Sequence, residues 1–164
     1  MPETPFFDGR AAFALRVKQL LDRLSDQMEV ALQDAGLEIR GKATGIVQFL
    51  HHQGPSSLAE IAAELRYSHQ LCTQRVGWLV EHGFAVLRND DRDRRRRRVE
   101  LTPAGQQEAE KLQAFLPALT QTYDDLFAEV GLDLHAAILA ANAALDASPL
   151  SARMPPLAPA ASSH

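Results

Sequence analysis

Apolar residues recur at spacings of three and four along most of the chain, and alternate with polar ones in a single short stretch. Phe13, Val17, Leu20, Leu24, Met28 and Ala31 lie on one stripe of a long helix predicted over about 9–35. Gly36 is its stop. A second helix, about 42–52, turns Ile46, Val47, Phe49 and Leu50 inward. It ends at Gln53-Gly54-Pro55, because proline cannot continue a helix and disfavours helical geometry in the residue before it. Ser57-Leu58-Ala59-Glu60 has the spacing of a capping box and opens a short helix burying Leu58, Ile61, Ala62 and Leu65. After a tight turn at Arg66-Tyr67, Ser68 caps a helix that extends to about His82. Cys72, Val76 and Leu79 share its inner face, and Gln70, Thr73, Gln74 and Gly77 the opposite one.

The alternation comes next. Phe84-Ala85-Val86-Leu87 and Val99-Glu100-Leu101 read as two strands, with turn chemistry at Asn89-Asp90-Asp91 between them. Thr102-Pro103 starts another helix, with proline at the first helical position. Its stripe of Leu112, Leu116, Leu119, Tyr123, Leu126 and Val130 continues on both sides of Pro117, which is expected to bend the helix without ending it. Gly131 breaks the pattern, and Leu134, Ala137, Ile138, Ala141 and Leu145 form a last apolar face. Residues 148–164 are rich in Pro, Ala and Ser and are expected to be a disordered tail. Two short helices joined by a tight turn and followed by a hairpin make a winged helix-turn-helix, about 42–101, within a mainly α fold carrying a small β-hairpin wing.

Charge changes this picture from a fold into a candidate function. The net charge of −4 over 164 residues is unfavourable for a polyanion partner. Between Arg66 and Arg98, however, nine arginines stand against four carboxylates, and the acidic excess lies elsewhere. A basic segment on an acidic body is an electrostatic footprint for nucleic acid. Five of the nine are consecutive, Arg94 to Arg98, and would fall at the tip of the wing, between its two strands. A basic wing reaches the minor groove beside the major groove that holds the second helix of the helix-turn-helix. The candidate DNA-binding residues are therefore Ser68, His69, Gln70, Thr73 and Gln74 on that helix, and Arg92, Arg94, Arg95 and Arg96 on the wing.

Other chemistries find little support. No apolar run approaches the roughly 20 residues of a membrane span, and the first residues lack a secretory pattern. A single cysteine, Cys72, points to a reducing, cytoplasmic setting and reads as a core residue. His51-His52 are neighbours whose side chains point about 100° apart on a helix, and no ligand cluster accompanies them, so no metal is expected. No phosphate loop, catalytic triad or nucleophile elbow is present. The expectation is a protein that is not an enzyme, without catalytic residues or cofactor.

The pattern from Ser68 to Gly83, followed by Asp90-x-Arg92-x-Arg94-Arg95 and Val99-x-Leu101-Thr102-x-x-Gly105, resembles the MarR family of winged-helix transcriptional regulators. The resemblance covers about residues 10–147. It implies a domain over 9–147 in which helices within 9–36 and 103–147 pair two protomers. It also implies a pseudo-palindromic double-stranded DNA operator read by the homodimer, and repression released by a phenolic or other small aromatic ligand. Arg94 falls at the family's minor-groove arginine, and Asp90 and Arg92 where the family supports the wing. No motif identifies the ligand-binding residues; a largely apolar pocket is expected between the first helix, the helix from Pro103 and the recognition helix. The chain departs from the family at Arg75, usually apolar, at Trp78, often basic, and in the extra Arg96 to Arg98. A winged-helix or architectural DNA-binding protein without small-molecule control is the alternative reading.

Overall fold

The computed structural model describes residues 9–89 and 97–155. The chain divides into two compact units, Met1–Pro117 and Ala118–His164. In the first, a single turn of 3-10 helix, Arg10–Ala12, leads into α1, Phe13–Asp34. A second such turn, Gly41–Ala43, precedes α2, Thr44–Gln53. Then come β1, Ser56–Ser57; α3, Leu58–Glu64; α4, His69–Glu81; β2, Ala85–Asn89; β3, Arg97–Leu101; and α5, Pro103–Val130. Helix α5 runs through Pro117, the residue at which the units divide.

The sequence signals that start these elements act as read. Ser57 accepts the Glu60 N–H while Glu60 accepts the Ser57 N–H, a complete capping box on α3. Ser68 caps α4 by accepting the Leu71 N–H at 3.2 Å. Thr102 caps α5 through its hydroxyl, which accepts from Gly105 N–H and donates to the Gly83 carbonyl at 2.6 Å. Gly83, at φ 78°, supplies the left-handed turn that stops α4.

One element was not expected. Ser56 and Ser57 form a third strand, so the wing is not a free hairpin but part of an antiparallel sheet of order β1-β3-β2. Ser56 faces Val99 and Ser57 faces Arg98, while β2 pairs with β3 from Ala85↔Leu101 to Asn89↔Arg97. A two-residue strand has no period to detect, and Pro55 and the capping box dominate that stretch of sequence. The pairing ties the base of the wing to the start of the helix-turn-helix.

Ile46, Val47 and Leu50 of α2, Ile61 of α3, and Cys72, Val76 and Leu79 of α4 meet Val99 and Leu101 of β3 in one core with Leu32 and Leu112. Helix α5 enters it at close range. A Cβ on Gly105 would stand 1.9 Å from the Phe84 carbonyl oxygen, so only glycine permits this approach.

Glu108 of α5 is buried, with 3% of its surface exposed. Its Oε2 accepts the Glu38 N–H at 2.7 Å and the Ile39 N–H at 3.1 Å, and its Oε1 accepts from Lys111 Nζ at 2.6 Å. Lys111 also donates to the Gly36 carbonyl, and Glu29 of α1 accepts the Gly41 N–H. Two carboxylates thus fasten the connector between α1 and α2. Burial pushes the Glu108 carboxyl up, but the Lys111 ammonium and the two backbone N–H groups outweigh it and hold it below the usual carboxylate range.

The second unit comprises the rest of α5; α6, Leu134–Ala147, capped by Asp133; and α7, Leu150–Arg153. Residues 148–164 were expected to lack structure. Instead Leu150–Arg153 is one turn of helix, because the Arg153 guanidinium donates to the Ser148 and Ala144 carbonyls and satisfies the end of α6. Residues 156–164 lie outside the described residues. Helix α6 has no buried residue, and Ile138, Leu139 and Leu145 are exposed.

Glu108→Ala is expected to cost about 2–3 kcal/mol, the scale for removing charge-assisted bonds and orphaning a buried N–H. Because the folded-state pKa is lowered, Glu108 stabilises fully above the unfolded carboxyl pKa, and this contribution fades as pH falls through the folded one. Urea denaturation at fixed protein concentration should show the gap between wild type and Glu108→Gln narrowing from neutral to acid pH. Gly105→Ala should destabilise by about 3 kcal/mol, the upper range of overpacking, since the clash is with backbone.

Candidate nucleic-acid interface

Three faces of α4 have different surroundings. The inner one, Cys72, Val76 and Leu79, is buried completely or nearly so. Burial pushes the Cys72 thiol up, with the Arg75 charge opposing, and its S–H points to the Leu58 carbonyl. The outer face presents His69, Gln70, Thr73 and Gln74, all exposed. Thr73 donates its hydroxyl proton to the His69 carbonyl at 2.8 Å, which leaves its methyl and oxygen lone pairs outward. Among the described residues Gln70 and Gln74 make no side-chain hydrogen bond, so both amides remain available in full. Ser68 sits with this group by position, but its oxygen is engaged by the Leu71 N–H.

Arg92, Arg94, Arg95 and Arg96, with Asp90, lie outside the described residues. The strands on either side of them in sequence, β2 and β3, are described. Arg97 pairs with Asn89 and Arg98 with Arg88 in the ladder. Arg88 and Arg98 face each other, and like charges directly opposite are destabilising. Each has a carboxylate in reach: Glu100 lies 2.8 Å from Arg88, and Glu60 lies 3.9 Å from Arg98. The basic run therefore ends in a strand, and Arg98 belongs to the sheet that joins wing and helix-turn-helix.

The third face of α4 carries Leu71, Arg75 and Trp78 toward the turn that precedes α2. A cavity of about 360 Å³ opens there, lined by Arg40, Lys42, Ala43, Leu71, Gln74, Arg75 and Trp78. The Arg75 guanidinium stacks 4.4 Å from the Tyr67 ring centre, and that of Arg40 lies 5.3 Å from the Trp78 ring centre. Trp78 in turn stacks on His82 at 4.1 Å. These contacts explain how Arg75 and Trp78 stand at positions where the sequence pattern suggested other residue types. The cavity is not the apolar one expected between α1, α5 and α4: it is cationic and lies on α2's leading turn. Arg40 and Lys42 carried no sequence signal, being isolated cations in a connector.

No single described helix is long and apolar enough to cross a membrane.

Residues 35–96 match the model of the MarR family. None of the curated proteins matches the chain significantly. Among solved structures, the fold is similar to that in the S. aureus MepR–DNA complex, at 16% identity over 84% of this chain and 97% of that one, with a TM-score of 0.65. It is also similar to the MarR family transcription regulator SP03579, at 17% identity over 84% and 91%, with a TM-score of 0.63. A third similar structure is the heme sensor protein PefR from Streptococcus agalactiae in complex with heme, at 17% identity over 85% and 95%, with a TM-score of 0.59. The family match thus falls on residues 35–96, the helix-turn-helix and the start of the wing, and the fold around them is similar to that of a solved MarR family regulator.

Proposed function

We propose that the protein is a homodimeric, non-enzymatic transcription regulator of the cytoplasm that reads a pseudo-palindromic operator, and a repressor released by a small ligand. The observation that carries this reading is the row of His69, Gln70, Thr73 and Gln74, exposed on a helix whose opposite face is locked into the core. Glutamine pairs bidentately with adenine in the major groove, and the arginine run of the wing neutralises phosphate and enters the minor groove. MepR, a protein of similar fold, has been solved on DNA.

Dimerisation is supported by two apolar faces. Phe13, Val17, Leu20 and Leu21 are exposed on α1, and Ile138, Leu139 and Leu145 on α6. Exposed apolar area of this kind favours association at about 25 cal/mol per Å² buried. A two-fold axis brings two recognition helices to successive turns of one duplex face. Ligand control is supported by the cavity, which shares Gln74 with the reading face, and by the naming of PefR as a heme sensor.

Selection of bound sites from a randomised duplex library, followed by titration of the best site, tests this function. Gln74→Ala should relax base preference at one position of each half-site; an equal fall in affinity for every sequence would instead make Gln74 a phosphate contact. Arg94→Ala should cost on the order of 1–3 kcal/mol of operator binding. Wild-type binding should weaken with salt by a log–log slope of about −0.9 per phosphate neutralised. Removing the chain from Leu132 onward should yield monomers or aggregates that do not bind operator, as read by sedimentation equilibrium.

A further inference from the structure

Eight of the chain's nine glycines have a reason within the fold. Gly9, Gly36, Gly54, Gly83 and Gly131 take a positive φ, and at Gly41, Gly45 and Gly105 an added Cβ would press on a neighbour at 3.3 Å or less. Gly77 has neither reason. It lies inside α4 with ordinary helical backbone, it is exposed, and a Cβ there would meet nothing within 4 Å. Glycine inside a helix disfavours folding by about two- to five-fold relative to alanine, because it gives up more conformational freedom. No contact among the described residues offsets that cost.

Its place on the helix is specific. At about 100° per residue, Gly77 falls opposite the buried face of Cys72, Val76 and Leu79, between Thr73 and Gln74 around the axis and one turn beyond them. His69, Gln70, Thr73 and Gln74 each put a polar side chain on this exposed stripe, and the Gln70 and Gln74 amides are unspent. At Gly77 the stripe becomes bare backbone. Beside it, Arg40, Lys42 and Arg75 line a wall without an acidic residue, and the buried N–H groups Arg75 Nε and Trp78 Nε1 have no partner. Buried donors are satisfied in the great majority of proteins, so this flank too is completed from outside the chain.

We propose that Gly77 is the point at which α4 comes nearest to the operator duplex, and that its missing side chain sets how deeply the helix enters the major groove. Glycine is the residue that lets a backbone approach a ligand closely. A side chain at 77 would meet the groove before Gln74, one turn away, is seated against its base edge. Hydrogen bonds of this kind hold within about 2.7–3.2 Å, so a lift of about 1 Å breaks the contact. Glu81, four residues on, bears the next side chain of the stripe, and its carboxylate is repelled by phosphate. Closest approach therefore falls on the turn of Gly77 and not at the helix end. The inference rests on the DNA-binding reading given above, and makes Gly77 a positioning residue for it.

Folding and binding should respond to substitution with opposite signs. Full-length wild type, Gly77→Ala and Gly77→Leu, both replacements favouring helix, are compared at one salt and one protein concentration. Urea unfolding is measured, and each protein is titrated with the selected operator and with an unrelated duplex. Gly77→Ala should raise the folding equilibrium constant by about two- to five-fold and still bind operator more weakly than wild type. Gly77→Leu should bind operator at least about ten-fold more weakly, the scale of one lost bidentate base contact. Its loss on the unrelated duplex should be smaller, because phosphate contacts alone do not need α4 fully seated. The proposal is overturned if Gly77→Leu binds operator as tightly as wild type, or if both duplexes lose affinity equally. It is equally overturned if Gly77→Ala unfolds more easily, which would give Gly77 a role inside the fold. A wild type that prefers no selected duplex to an unrelated one removes the DNA-binding reading itself, before either variant is compared.

Discussion

A carboxylate withdrawn from water costs several kcal/mol unless it is paired and hydrogen-bonded, and Glu108 meets that condition by gripping the connector that leads to the helix-turn-helix half of the fold. Its two backbone donors, Glu38 and Ile39, immediately precede the turn that carries Arg40 and Lys42. Glu29 holds the same turn from α1 through the Gly41 N–H. The position of α2, of the cationic cavity, and through their shared wall of one side of α4, follows from where these two carboxylates fix the chain. Lys111 closes the arrangement from the next turn of α5 and reaches the Gly36 carbonyl as well. An apolar residue at 108 could fill the space but could not satisfy the Ile39 N–H.

Helix α4 has to serve three surroundings at once, and its thirteen residues are divided accordingly. One face is held by the core, which removes freedom from the helix axis. A second offers amides whose hydrogen-bonding capacity is unspent. The third forms a wall of stacked Tyr67–Arg75 and Arg40–Trp78–His82 contacts. Coupling between a ligand and DNA on such a helix needs no long path. It requires only that the ligand bind unequally to the DNA-competent and incompetent arrangements of a side chain they share.

Most of the fold was legible because its signals are local. Ser57 and Ser68 announced their helices by the residues three places on. Cys72, Val76 and Leu79 announced the core side of α4 by helical spacing, and the outward placement of Gln70, Thr73 and Gln74 followed. What stayed hidden depends on contacts distant in sequence. Strand β1 exists because Val99 and Arg98 lie opposite Ser56 and Ser57. The grip of Glu108 spans 70 positions. The cavity joins residues 40–43 to 71–78, and neither segment carries a motif for it. The short helix at Leu150–Arg153 was missed for a related reason: one arginine reaching back to Ala144 and Ser148 orders a stretch whose composition suggests none.

The seclusion of Cys72 has a consequence for the time dimension of this fold. Its side chain is fully buried on the inner face of α4, its thiol proton is harder to remove than usual, and it is the chain's one cysteine. A thiol in that position is silent toward reagents while the helix-turn-helix is closed and reactive whenever it opens. The protein therefore carries an internal clock, in which the pace of modification counts excursions of the helix-turn-helix away from its native packing, one molecule and one sulfur at a time.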